Sequence, residues 1–190
     1  MSKVREYIDK YLEETAQIVQ AIDRSAIEKA IDILWKLRRK NGCLYILGVG
    51  GGAGNASHAV NDFRKIAGIK ACAPTDNVSE LTAWTNDTSW EAFFENWLKT
   101  TQLQPEDCLL IFSVGGGTVH TSYNLVKAME YAKKIGAAII SVVSRDGGRA
   151  GKLSDACVHI PVVCGDRITP HCEEWQAVVW HLMANALASS

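Results

Sequence analysis

The chain has almost no excess charge: 20 Lys and Arg stand against 21 Asp and Glu, a formal net charge of -1. That balance excludes a strongly electropositive surface and, with it, a dedicated nucleic-acid binder. Proline is scarce at four residues, and no repeat, linker or low-complexity tract marks a domain boundary. The six cysteines, Cys43, Cys72, Cys108, Cys157, Cys164 and Cys172, include no C-x-x-C pair. They read as reduced core thiols rather than as disulfides or a cysteine zinc site. No stretch reaches the roughly 18 consecutive apolar residues of a membrane span. The opening MSKVREYIDKYLEET is charged and amphipathic where a secretory signal needs an apolar segment. The expected setting is therefore cytoplasmic, without a membrane partner. With 190 residues and 47% hydrophobic content, one well-buried domain over 1–190 is the default.

Apolar residues recur at helical spacing from Val4 to Ile22 and again from Ala26 to Leu37, which predicts two opening helices. After Asn41-Gly42 the run Cys43 to Leu47 is too short for a helix and enters the cluster GVGGGAGN. The same grammar returns in CLLIFS followed by VGGGTVHTS and a helical stretch Ser122 to Lys134, then in AIISVVS followed by RDGGR. Weaker strands span Ile69 to Ala73 and Cys157 to Val162, and a last helix runs from Ile168 to Leu187. Short apolar strands alternating with helices predict an α/β fold, a doubly wound, three-layer αβα sandwich around a five-stranded parallel sheet.

In such a sheet, ligands bind beyond the carboxyl ends of the strands, where Gly48 to Gly54 and Gly115 to Gly117 fall. One glycine cluster alone is explained as well by a tight strand-to-helix turn as by a ligand. Two clusters after two strands point to an anion held by close backbone approach, with helices starting near Ala53 and Thr118 aiming N–H groups at it. Gly48 and Gly50 begin a dinucleotide-like fingerprint, but the next strand ends in Pro74 and Thr75 before Asp76, where that fold wants an acidic residue.

His58 and Asp62, four residues apart, lie about 40° apart around a helix, and Glu173 and His181, eight apart, about 80°. Each pair shares a helix face. Taken singly, either is an ordinary solvated face; brought together, they would suit a divalent metal such as zinc or a general acid and base. His120, His159 and His171 have no partner by spacing and read as turn, strand or surface residues. Six tryptophans suggest apolar surface that a subunit contact or the monomer core would cover.

The order of these motifs resembles the bacterial phosphoheptose isomerases, the sedoheptulose 7-phosphate isomerase branch of the sugar isomerase (SIS) fold. The resemblance covers nearly the whole chain and rests on the paired N-terminal helices, LGVGGGAGNASHAVNDF, SELTAWTNDTSWEAFF, FSVGGGT, SRDGGRAGKLSDACVHIPV and the helix ending in WHLM. It implies an aldose–ketose isomerase that works through an enediol, with Asp62 and His181 as catalytic groups and zinc held by His58, Asp62, Glu173 and His181. It also implies a sugar phosphate gripped by Gly50, Gly51, Gly52, Ser113, Gly115, Gly116, Gly117 and Thr118. Asn86, Asp87, Asp146 and Glu173 would lie on the substrate side. A homotetramer is implied too, with residues 1–40 packing on the domain or between subunits.

The chain departs from the family at the phosphate turns. Val49 and Gly52 replace an asparagine and a serine, and SVGGGT stands where the family reads Ser-Thr-Ser-Gly-Asn-Ser. Two lost hydroxyls amount to about 3 to 6 kcal/mol of phosphate binding. His120, Thr121 or an arginine is on offer as a replacement, or the ligand differs. Asp62 replaces a glutamate and is one methylene shorter, while Glu173 replaces a glutamine and adds a charge that favours a cation. These changes leave a second reading open, a non-catalytic SIS module that senses a sugar phosphate or binds a protein.

Overall fold

The computed structural model describes residues 2–189. The apolar runs become β1 (Cys43–Gly48), β2 (Lys70–Cys72), β3 (Cys108–Phe112), β4 (Ala138–Val143) and β5 (Ala156–His159), all parallel in the order β2-β1-β3-β4-β5. Leu44, Ile46, Leu110, Ile140 and Val142 enter the core on one face of the sheet, and Leu47, Leu109, Ile111, Ile139 and Val143 enter the core on the other. Burial on both faces is why these strands are continuously apolar instead of alternating.

Among the described residues eight α-helices surround the sheet: α1 (Lys3–Ala21), α2 (Arg24–Arg39), α3 (Gly51–Lys65), α4 (Val78–Asp87), α5 (Phe93–Thr100), α6 (Tyr123–Ile135), α7 (Ala150–Leu153) and α8 (Ile168–Ala188). Leu34 of α2, Phe63 of α3 and Trp180 of α8 close one face, while Phe94 and Leu98 of α5 and Met129 of α6 close the other. The three-layer αβα architecture follows. The fifth strand ends at His159, short of Val162, because Pro161 has no N–H to continue the ladder. No helix begins near Thr118. Gly116 and Gly117 hold φ of +69° and +79°, the hydroxyl of Thr118 accepts from the N–H groups of His120 and Thr121, and α6 starts only at Tyr123.

His171 corrects its sequence reading as a surface residue. It is 2% exposed, and its Nε2 lies 2.9 Å from Oε2 of Glu14 on α1. Arg167 donates to both oxygens of that carboxylate, at 2.8 and 2.6 Å, and Tyr11 donates to Glu174 beside it. This network fastens α1 to the start of α8. The partners are 153 and 157 residues apart, so no local spacing exposes them. Hydrogen bonds from Arg167 and His171 pull the Glu14 carboxyl down to about 2. A carboxyl depressed in the folded state stabilises above its unfolded value near 4.5, and that contribution fades as pH falls through about 2. Acid unfolding should therefore steepen across this window, and Glu14→Gln should flatten the dependence while lowering the melting temperature at neutral pH, as circular dichroism melts at a series of pH values would record.

All six cysteines are free, and burial pushes the Cys172 thiol up to about 12. Among the described residues no helix is long and apolar enough to cross a membrane. Trp97, Trp175 and Trp180 are buried, so the core absorbs much of the aromatic surface. The larger uncovered apolar feature is aliphatic: Val4, Ile8, Leu12 and Val19 form an exposed stripe along α1, and Val178 and Leu182 are exposed on α8 beside His181.

Candidate active site

Strand order reverses between β1 and β3, the place where a doubly wound sheet opens a crevice beyond its strand ends. Gly48 pairs with Phe112, so the two glycine turns leave the sheet at one height. In the first turn, the N–H groups of Gly52, Ala53 and Gly54 are already bonded to the carbonyls of Val49 and Gly50 at 3.0 to 3.2 Å. The carboxylate of Glu173 stands directly over Gly51, where any Cβ would collide with it. A negative group of the protein thus occupies the amino end of α3, the spot that favours an anion.

The second turn is built differently. Gly116 donates to Ser113 Oγ at 3.1 Å, and the SRDGG turn is stitched onto it by Arg149 N–H to Gly117 O at 3.0 Å and Ala150 N–H to Gly116 O at 2.9 Å. A Cβ on Gly116 would strike the carbonyl oxygen of Gly147, so only glycine allows the two turns to touch. Between them lies a hollow of about 160 Å³ edged by Ser113, Gly117, Thr118, Thr121, Arg145 and Asp146. The sequence offers an unspecified arginine as a replacement for the lost hydroxyls; the joining of two distant turns is what makes Arg145 of the SRDGG motif the one beside this hollow.

His58 and Asp62 on α3 face His181 on α8. The two helices run side by side in one direction, pinned by Asn55 Nδ2, which donates to Glu173 O at 2.9 Å and to Gln176 Oε1 at 3.1 Å. Ligand atoms of His58, Asp62 and His181 all fall within 4.8 Å of one another, with Asp62 Oδ2 3.7 Å from His181 Nε2. His181 Nδ1 lies 2.7 Å from the carbonyl of Ala177. A carbonyl only accepts, so Nδ1 carries a proton, and in the neutral ring it is Nε2 that presents a lone pair to Asp62 and His58. Asn61 donates to Asp62 Oδ1 at 2.8 Å, which leaves Oδ2 toward His181. The ring of His58 packs edge-on against Trp180 and His181, with centroids 4.8 and 5.3 Å apart. Two imidazoles and a carboxylate, one imidazole oriented through a backbone carbonyl, make a donor set that fits a divalent metal.

Glu173 stands outside this trio. The 80° separation from His181 neglects the rise of about 1.5 Å per residue, which sets the two about 12 Å apart along α8. By the same measure Gly51 and His58 are about 10 Å apart along α3, so a ligand gripped at the turns needs a chain of several carbons to reach the trio. Asn86 and Asp87 end α4, both exposed, with Asn86 Nδ2 donating to Asp87 Oδ1 at 2.8 Å. His120 is exposed in its turn, and the His159 ring packs against Gly147 at the end of β5. A larger hollow of about 400 Å³, edged by Lys36, Lys40 and Lys133, opens at the amino ends of the strands, the wrong end for a doubly wound site.

Comparison with known proteins agrees with this geometry. The SIS domain model matches residues 6–144. A phosphoheptose isomerase of Crocosphaera subtropica is 31% identical over 82% of this chain and 78% of its own length. The lincomycin biosynthesis protein LmbN of Streptomyces lincolnensis is 29% identical over 93% of this chain and 67% of its own. Among solved structures, phosphoheptose isomerase GmhA of Neisseria gonorrhoeae superposes with a TM-score of 0.83 at 22% identity, covering 99% of this chain and 98% of that one. That likeness speaks for the fold alone. With the family model and the Crocosphaera relative beside it, the chain belongs to the SIS domain family, in its phosphoheptose isomerase branch.

Proposed function

We propose that this protein interconverts an aldose and a ketose phosphate of the sedoheptulose 7-phosphate type by proton transfer through an enediol. The observation that carries the reading is the meeting of His58, Asp62 and His181 on two helices that both start beside the glycine turns. The phosphate sits against the Ser113 to Thr118 turn, with the Gly50 to Gly52 turn across the crevice from it, and the sugar chain extends along α3 toward the trio. Asp62 takes the proton from one of C1 and C2 and returns it to the other. His181, when its Nε2 is neutral and not engaged by a metal, accepts the proton of one sugar hydroxyl and gives it to the neighbouring oxygen. Glu173, at the turn, and Asp87 and Asp146 order the sugar hydroxyls.

His58, Asp62 and His181 would hold zinc; Glu173, about 12 Å from His181 along α8, stays at the turn. When bound, zinc would supply positive charge that stabilises the developing enediolate. Its presence is checked without turnover: the purified protein should carry stoichiometric zinc by elemental analysis and melt at lower temperature after chelation, since a ligand of the native state alone stabilises it. His58→Gln should lose the metal and the chelator's effect together. Unchanged zinc content in that variant would remove His58 from the site.

The setting proposed is the cytosol and the assembly a homotetramer. The exposed stripe on α1 and the exposed Val178 and Leu182 support an association that covers them. A panel of aldose and ketose phosphates, followed by NMR, tests the activity. Turnover of a seven-carbon phosphate that disappears in Asp62→Asn is the expected result; binding without turnover of any member would make the chain a sugar-phosphate-sensing module instead.

A further inference from the structure

Arg145 is exposed, and among the described residues its side chain makes no ion pair or hydrogen bond. It holds φ of +54°, a left-handed conformation costly for a long side chain and retained only where the surroundings impose it. It edges both hollows at the second glycine turn, and its Cδ lies 3.9 Å from where a Cβ on Gly115 would stand, so the missing side chain at 115 leaves its stem room.

Several donors face the same hollow. Ser113 Oγ accepts from Gly116 and Thr118 Oγ1 accepts twice, and among the described residues neither of their O–H groups nor the hydroxyl of Thr121 has a partner. α6 begins at the rim without a side-chain cap. The one carboxylate on the rim, Asp146, is engaged by the N–H of Gly148 at 3.2 Å. At the first turn, by contrast, the Glu173 carboxylate over Gly51 repels a second anion.

We infer that Arg145 is the principal anion-binding residue of this protein, and that the phosphate is held by ion pairing at the second turn rather than by the first. The inference rests on the sugar-phosphate reading above and deepens it by naming the residue and the form of recognition. Inorganic phosphate is the probe, because its binding is measured without turnover. Calorimetric titration of the intact protein should show Arg145→Gln weakening phosphate about 10- to 100-fold, the span of a lost hydrogen bond to a charged group, with Arg145→Lys in between. Added potassium chloride should weaken the wild type more steeply than Arg145→Gln, since screening acts on the ion pair. With a sugar phosphate as substrate, KM should rise by the same factor and kcat change little.

Phosphate binding equal in wild type and Arg145→Gln, or no binding to the wild type at all, overturns the assignment. Phosphate binding that depends on Arg145, without isomerisation of any sugar, overturns the isomerase reading and leaves the assignment standing. A circular dichroism melt of each variant separates loss of the side chain from loss of the fold.

Discussion

Replacing His181 by glutamine should lower kcat about 10²- to 10⁴-fold, the usual contribution of a positioned acid or base, equivalent to about 3 to 5 kcal/mol of transition-state stabilisation. The fold should survive, because the His181 side chain is 43% exposed and leaves no core cavity when exchanged. Glutamine can still donate to Ala177 O, but it has no titratable nitrogen to pass a proton between the sugar oxygens. Steady-state kinetics on the best substrate and a melting curve check the two halves of this expectation. A variant with near-normal kcat would mean that His181 only lines the site.

Gly116→Ala should have the largest effect on stability. The residue has φ of +69°, and its Cβ would meet the carbonyl oxygen of Gly147, a backbone atom that cannot swing aside. Left-handed strain alone costs about 1 to 3 kcal/mol, and separating the two turns adds the loss of the Arg149 and Ala150 hydrogen bonds. A total of about 3 kcal/mol or more corresponds to roughly 6 to 12 °C in melting temperature for a chain of this size. Phosphate binding should fall with it, since Arg145 reaches the hollow only while the SRDGG turn lies on the glycine turn. Gly165→Ala serves as the control: its Cβ meets nothing within 4 Å, and the change should be close to neutral.

What could be read in advance divides along physical lines. Strands buried on both faces announce themselves as unbroken apolar runs, so Cys108 to Phe112 and Ala138 to Val143 were legible almost residue by residue. His58 and Asp62 were legible because four residues is one helical turn, and His181 because it shares the face that α8 turns toward them. Glu173 shows where angles mislead: it points in a compatible direction but lies two turns away along the axis. Glu14, Arg167 and His171 form a buried network whose partners are far apart in sequence, and nothing local distinguishes Glu14 from the exposed acids around it. That some arginine could serve the phosphate turns was legible, but that it is Arg145 depends on the packing of two turns distant in sequence.

The departures at the glycine turns also gain a physical meaning. A carboxylate over Gly51 and an unpaired guanidinium across the second turn make the two ends of the crevice electrically unlike, whereas two equivalent hydroxyl-lined cradles would be symmetric. Such polarity orients a ligand that is anionic at one end and hydroxylated at the other.

Isomerisation in deuterium oxide tests the central claim most directly. With sedoheptulose 7-phosphate and the wild-type protein, NMR should show deuterium entering at C1 of the ketose and C2 of the aldose as the two interconvert, and Asp62→Asn should stop both while remaining folded. Undiminished exchange in that variant, or none in the wild type with any ketose phosphate, would contradict a proton-transfer centre at His58, Asp62 and His181.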